Sequence, residues 1–394
     1  MNIRKITFGN FKSLYNASFE PGQVNVFIGA NGSGKTTILE AIGLLSAAMT
    51  DRVDSSSLQR KGVRLSIPSL YKSSFKDLKR QRSMIDLSLE WEDDCCTDKF
   101  RYDVHLTTPT DTDYWKYHSE AFLQNGEKIW GRSNASQQQS NSYIGFFLID
   151  NDPELTTGRK IAEDFSSYGI FQPNTLTLRG TIPDPNQVSP VGLNGGRLAE
   201  GIRTLIHEND GDLFFGNLYM DDILDMIDWA SDISVDTPKK TTINANIPTT
   251  RQVIEFTDRY MKDTARFTGY DASEGALYVL FMLTLAMHPM GPSIFSVDSF
   301  DHALNPRLAK KMIQVFCEQI IQNNKHVFLT THNPLVLDGL DLQNDDIRLF
   351  AVDRDSNGYA QIRRISVSQE LIDEGLPLSR LWISGRLGGV PSLL

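Results

Sequence analysis

The octapeptide Gly29-Ala30-Asn31-Gly32-Ser33-Gly34-Lys35-Thr36 constrains the fold of this chain more than any other feature. It matches G-x-x-x-x-G-K-[ST] at every fixed position. It lies between an apolar run at 24–28 and a helical pattern carried by Ile38, Leu39, Ala41, Ile42 and Leu45. Strand, glycine loop and helix in that order make a phosphate-binding loop. The glycines let backbone amides turn toward phosphate oxygens. Lys35 brings a point charge to the terminal phosphates and Thr36 a hydroxyl to Mg²⁺, and the helix N-terminus adds a favourable dipole. The motif therefore predicts an α/β fold with a mostly parallel sheet. It also predicts ATP or GTP binding through Gly29, Asn31, Gly32, Ser33, Gly34, Lys35, Thr36 and Thr37.

A second apolar run, at 294–297, ends in Asp298. A carboxylate at the end of a buried strand is the expected partner of a phosphate loop, holding the metal together with Thr36. Gln172, in a loop rich in Pro, Gly and Asn, is a weaker candidate for the same metal.

Segments 84–91, 100–106 and 143–149 read as strands, and 150–197 as irregular. Helical patterns are expected at 198–208, 219–230 and 249–266, and longer helices at 275–287 and 307–323. A strand is expected at 327–330, and a hairpin over 346–366 turning at Asp355-Ser356-Asn357-Gly358. No a/d heptad persists, so a long coiled coil is not expected. The expected division is an N-terminal lobe (1–197) with the phosphate loop and a β-rich subdomain, a helical insertion (198–266), and a C-terminal lobe (267–394).

Charge narrows the partners. With 39 Lys+Arg against 49 Asp+Glu the net charge is -10, which disfavours general polyanion binding. The stretch from Arg60 to Arg82 departs from this, with eight basic residues and one acid, Asp77. It reads as a solvated face, or as a docking patch for nucleic acid or an acidic partner through Lys76, Lys79, Arg80 and Arg82. No apolar run is long enough for a membrane helix. The three cysteines, Cys95, Cys96 and Cys317, have neither disulfide nor zinc spacing, so a cytoplasmic location is expected.

Several motifs together resemble the ABC-type ATPases of the SMC/RecF group, and more closely the compact prokaryotic AAA15/AAA21-like ATPases related to OLD-family proteins. Asn10-Phe11-Lys12-Ser13 resembles that group's N-F-[RK]-S, and Asn31-Gly32-Ser33-Gly34-Lys35 its N-G-x-G-K. Ala272-Ser273-Glu274-Gly275 before an apolar helix resembles the ABC signature. Thr330-Thr331-His332-Asn333-Pro334 resembles the switch-histidine segment. The resemblance covers 1–45 and about 268–366.

It implies an ABC/SMC-type P-loop NTPase head: a mixed sheet with an antiparallel β subdomain. It further implies ATP and Mg²⁺ as cofactors, with Lys12 and Ser13 at the nucleotide. Ser273 and Gly275 would complete the site of a second subunit, giving an ATP-sandwiched homodimer. His332, Asp301 and Lys35 are the implied catalytic residues. Compact relatives often control a separate effector, a nuclease or toxin, in phage defence. A RecF-like repair clamp and a non-cycling ATP-dependent scaffold are the alternatives.

One departure matters. The family usually has Glu after the Walker B Asp, whereas this chain has Asp298-Ser299-Phe300-Asp301. Ser299 carries no charge to orient or deprotonate water. Either hydrolysis is slow or another carboxylate, such as Asp301, substitutes. Asp353 and Asp355 form a D-x-D, but they flank a hairpin turn in too short a remainder for a metal-dependent nuclease domain.

Overall fold

The computed structural model describes residues 2–50, 52–92, 98–110, 112–132, 140–142, 156–239, 242–244, 246–247, 251–262, 266–366 and 375–389. The strand expected at 143–149, Cys95 and Cys96 lie outside them.

Two six-stranded sheets form the frame. The phosphate-loop strand Val24–Ile28, buried at every residue, lies inside the first. Its neighbours are His326–Thr330 on one side and Ile347–Arg354 on the other, both parallel to it. Beyond His326–Thr330 come Ile294–Val297 and then the two-residue strand Ile170–Phe171, also parallel. Ala360–Ile365 closes the other edge antiparallel, through the expected hairpin. Strands buried on both faces read as continuous apolar runs, which is why 24–28 and 294–297 show no alternation.

The second sheet is antiparallel throughout, in the order Ala17–Phe19, Asn2–Gly9, Met84–Glu92, Lys99–Thr107, Lys116–Gln124, Glu127–Arg132. The helix Lys35–Thr50 joins the two sheets and is buried along most of its length. Its last turns keep their carbonyls satisfied, because Tyr102 and Tyr117 of the antiparallel sheet both donate hydroxyls to Ala48 O (3.2 and 3.0 Å). Near its start, Tyr168 Oη lies 2.9 Å from Leu39 O and 2.5 Å from Ser296 Oγ, linking helix to Walker B strand.

A second core gathers around the helix Glu274–Met287, which is apolar on all sides and fully enclosed.

The segment 198–266 is not a helical insertion. It contains helices Leu198–Leu205 and Met220–Met226, but also a small sheet (Ile206–Asn209, Asp212–Phe215, Leu218–Tyr219) and a three-stranded sheet. The helix expected at 249–266 is replaced by strands Val253–Asp258 and Arg266–Thr268 of that second sheet, which pair antiparallel. Ile254 and Phe256 bury on one face. Glu255, on the opposite face of the strand, is buried too, within 3.2 Å of Arg266, so this stretch is covered on both faces. The expected irregularity of 150–197 is also only partial, since Thr156–Ser166 is a helix and Thr175–Leu178 a short one.

Candidate functional site

The carboxyl ends of the parallel strands converge on one edge of the first sheet, the usual place for ligands in α/β sheets. The phosphate loop starts there. A side chain on Gly29 would collide with Val352 O at 2.3 Å, so the chain passes the neighbouring strand only as glycine. Lys35 folds back over the loop, donating to Gly29 O (2.7 Å) and Ala30 O (3.0 Å). Burial lowers its pKa to about 8, against the opposing pull of Asp298 and Asp301. From the adjacent hairpin, Arg354 Nε donates to Gly32 O at 2.9 Å and braces the loop tip.

Asp298 is the hub of the site. Its carboxylate accepts from Thr36 Oγ1 (3.1 and 3.2 Å), Gln172 Nε2 (2.9 Å) and Thr330 Oγ1 (2.5 Å). The Asp298 carboxylate and the Thr36 hydroxyl, on separate elements, are oxygen donors that suit a hard cation such as Mg²⁺. Two buried hydroxyls at the loop, Ser13 Oγ and Ser33 Oγ, have no hydrogen-bond partner. They stand 2.9 and 2.7 Å from where side chains on Gly34 and Gly29 would begin. Orphaned donors, a glycine cradle and an acidic hub with a hydroxyl beside it fit a nucleoside triphosphate with its metal.

The loop after Asp298 is tied to the switch segment. Ser299 adopts φ +61° and donates its N–H to Thr330 Oγ1 at 2.8 Å. Asp301 Oδ1 accepts from Thr331 Oγ1 (2.7 Å) and from His332 N (3.2 Å). Burial, then the nearby Lys35 charge, lowers the His332 pKa, which favours the neutral imidazole.

The other expected residues fall in different surroundings. Lys12, at φ +48°, places its ammonium 2.6 Å from Glu40 Oε2, a fully buried acid on the phosphate-loop helix. Arg64 reaches the other Glu40 oxygen at 2.7 Å. Asn31 is exposed at the loop tip, and Thr37 is half-buried one residue inside the helix. Ser273 caps its own helix, its Oγ accepting from Ala276 N at 3.3 Å. Gly275 sits against Ala303 O. Among the described residues, no hydrogen bond joins Ser273 or Gly275 to the phosphate loop of the same chain.

Asp353 and Asp355 have structural duties: Asp353 accepts from Gly389 N, and Asp355 from Asn357 N and Tyr359 N in the turn. The basic stretch divides as well. Lys61 is buried, Arg64 is engaged by Glu40, and the Arg82 guanidinium covers Tyr15 at 4.7 Å. Lys76, Lys79 and Arg80 are exposed.

Gln172, Thr330, Glu40 and Arg354 are the site residues that sequence reasoning weighed too lightly or missed. Only Gln172 and Thr330 left a signal, by following or ending a short apolar run.

The family described as "AAA ATPase domain" matches residues 1–149. The family described as "AAA domain, putative AbiEii toxin, Type IV TA system" matches residues 170–338. A solved structure, "Crystal structure of the SmcHead bound to the C-winged helix domain of ScpA", superposes with a TM-score of 0.55 at 12% identity, over 94% of this chain and 100% of that one. The chain has an ABC/SMC-type P-loop NTPase fold.

Two curated proteins, each named "DNA replication and repair protein RecF", are similar to a short stretch of this chain. The one from Marinomonas sp. (strain MWYL1) is 49% identical over 47 residues, 12% of this chain and 13% of that protein. The one from Renibacterium salmoninarum is 44% identical over 55 residues, 14% of each. The matches thus span only a small part of those proteins' length. No described helix of the chain is long and apolar enough to cross a membrane.

Proposed function

We propose that this domain binds Mg²⁺·ATP and that two copies close around the nucleotide, each offering Ser273 and Gly275 to the other's phosphate loop. The observation that carries the reading is the Asp298 hub, which gathers Thr36, Gln172 and Thr330 at the foot of the phosphate loop. Bound there, Mg²⁺ would neutralise phosphate charge between Thr36 and Asp298. Lys35 would leave its carbonyl contacts for the terminal phosphates. Ser13 and Ser33 would donate their hydroxyls to the nucleotide.

Hydrolysis is expected to be slow. Ser299 cannot act as a base, and Asp301 already has two donors on one carboxylate oxygen, which weakens it as a proton acceptor. Asp301 then serves mainly to hold His332 beside the phosphate loop. In such a protein the ATP-closed dimer is long-lived and acts as a signal. The match of 170–338 to a family described as a putative AbiEii toxin of a Type IV TA system supports a toxin-linked role, which this reading extends to control of a separate effector in phage defence, in the cytoplasm. Titrating Mg²⁺·ATP while following molecular mass by light scattering tests the core claim. A chain that binds no ATP, or binds it and stays at its nucleotide-free mass, would refute it.

The RecF-named similarity favours a second reading, a DNA-gripping repair clamp. Reversing the charge of the exposed Lys76, Lys79 and Arg80 would then weaken duplex binding and reduce its salt dependence. Duplex binding that is absent, or unchanged in that variant, would leave the effector reading in place.

A further inference from the structure

The segment from the helix Leu378–Ile383 to Gly389 runs across the same strand edge as the phosphate loop. It is anchored at three places. Ser379 donates its N–H and hydroxyl to the two oxygens of Asp338, 2.8 and 2.7 Å, just after the short helix Pro334–Leu337 that follows His332. Leu381 and Leu387 are buried, and Arg363 donates to Leu387 O at 2.7 Å. At the far end Gly389 donates to Asp353 Oδ2 at 3.1 Å.

The last two glycines lie in crowded, left-handed positions. Gly388 and Gly389 take φ of +75° and +70°. A Cβ on Gly388 would meet the Arg363 guanidinium at 2.4 Å, and one on Gly389 would stand 3.2 Å from the Cα of Gly29. Gly29 is the first residue of the phosphate loop, and a Cβ on it would meet Val352 O at 2.3 Å. Its backbone therefore lies close to both a core strand and Gly389. Between the phosphate loop and this segment lies an open cavity of about 320 Å³, lined by Gly29, Asn31, His332, Pro334, Trp382 and Ile383 among others.

We infer that residues 378–389 are a strap that positions the phosphate loop: Gly389, fixed by Asp353, holds Gly29 in its nucleotide-ready path, and the Ser379–Asp338 contact ties that strap to the switch segment. The inference rests on the nucleotide reading for its consequence, but not for the positioning itself. Gly389 and Asp353 act through Gly29 and are positioning residues.

The test uses the full chain and three variants, Gly389→Val, Asp353→Leu and Asp353→Asn. Hydrogen exchange over residues 24–36, measured without nucleotide, should accelerate in Gly389→Val and Asp353→Leu. It should stay near wild type in Asp353→Asn, whose amide oxygen still accepts from Gly389. Mg²⁺·ATP affinity should fall about tenfold in the first two, the effect of one lost ordering contact, while the thermal midpoint stays close to wild type. General unfolding would raise exchange everywhere, whereas loss of the strap raises it at the loop. Wild-type exchange at 24–36 in both Gly389→Val and Asp353→Leu overturns the strap. A wild-type chain that binds no ATP overturns the nucleotide reading instead, and the exchange result still decides whether the strap exists.

Discussion

Thr36, on the first turn of the phosphate-loop helix, donates its hydroxyl to Asp298, 262 residues further along the chain, at 3.1 and 3.2 Å. A hydroxyl and a carboxylate brought together at two strand ends form the smallest unit that can share a metal with a triphosphate. Asp298→Ala should remove the Mg²⁺-dependent part of ATP binding. Affinity measured in Mg²⁺ should fall at least about tenfold, to the value wild type shows in chelator. Equal Mg²⁺ enhancement in both proteins would remove Asp298 from the metal.

Lys35 sets a pH limit. Its folded pKa, about 8, lies below the ordinary 10.5 because of burial. Between those values the unfolded chain binds more protons than the folded one, so this group's contribution to stability increases with pH across that window. ATP needs the ammonium. Affinity should therefore be flat up to about pH 8 and then fall about tenfold per unit as the free enzyme deprotonates, with proton uptake on binding. Calorimetry in buffers of different ionisation enthalpy reads that uptake directly. Melting curves alone will not, since burial holds Lys61 and Lys325 near 8 as well. Lys35→Ala should abolish both binding and uptake.

Glu40 pairs with both Lys12 and Arg64, and it is fully buried. Glu40→Ala would leave the Lys12 ammonium partly buried without its counter-ion. The expected cost is on the order of 3 kcal/mol, the lower end for breaking a buried pair because Arg64 is largely exposed. Denaturant midpoints measure it. A change below about 0.5 kcal/mol, the usual range for surface substitutions, would mean that the Glu40 contacts contribute nothing net.

Ser273→Arg should lose a helix cap, about 1 kcal/mol, and leave ATP binding by the single chain intact. The ATP-dependent dimer should disappear from light scattering, because a long cation replaces the small residue offered to the partner's nucleotide. A variant that still dimerises on ATP would show that Ser273 is only a cap.

Ser299→Glu should raise the hydrolysis rate by about 10²-fold, the lower end for a positioned base. Asp301→Asn keeps an acceptor for Thr331 and His332 and should change little. Brisk turnover in wild type that vanishes with Asp301→Asn would make Asp301 the base and end the slow-hydrolysis reading. Steady-state phosphate release distinguishes the two.

The parts of this molecule that were legible in the sequence are those written contiguously. The phosphate loop and its helix, Asp298 at a strand end and the hairpin at 355–358 each carry their reason within a dozen residues. Gln172 was underweighted because its strand, Ile170–Phe171, is two residues long and shows no periodicity. Glu40 gave no sign because its partners, Lys12 and Arg64, are 28 and 24 residues away. The stretch around Val253, Phe256 and Tyr260 imitates helical spacing. Yet Tyr260 is 80% exposed beyond the strand, so it does not belong to the apolar face that the spacing suggested. Pairing with Ala230–Asp236 on one side and Arg266–Thr268 on the other decided that segment, and a pairing partner is not local information.

The strand order of the first sheet has a consequence for how the protein is made. Val24–Ile28 has no sheet neighbour from its own part of the chain. Its flanks are His326–Thr330 and Ile347–Arg354, and Asn25 donates to a carbonyl 302 residues later. At ribosomal speeds of about 5–20 residues per second, the phosphate-loop strand waits roughly 15–60 s after synthesis before its partners emerge. During that interval an apolar strand with both edges bare is exposed to misfolding and to chaperones. Asn25 and its partner Val327 are 302 residues apart, so a truncated product ending before about residue 326 would carry the complete phosphate-loop motif and lack the strands that flank it.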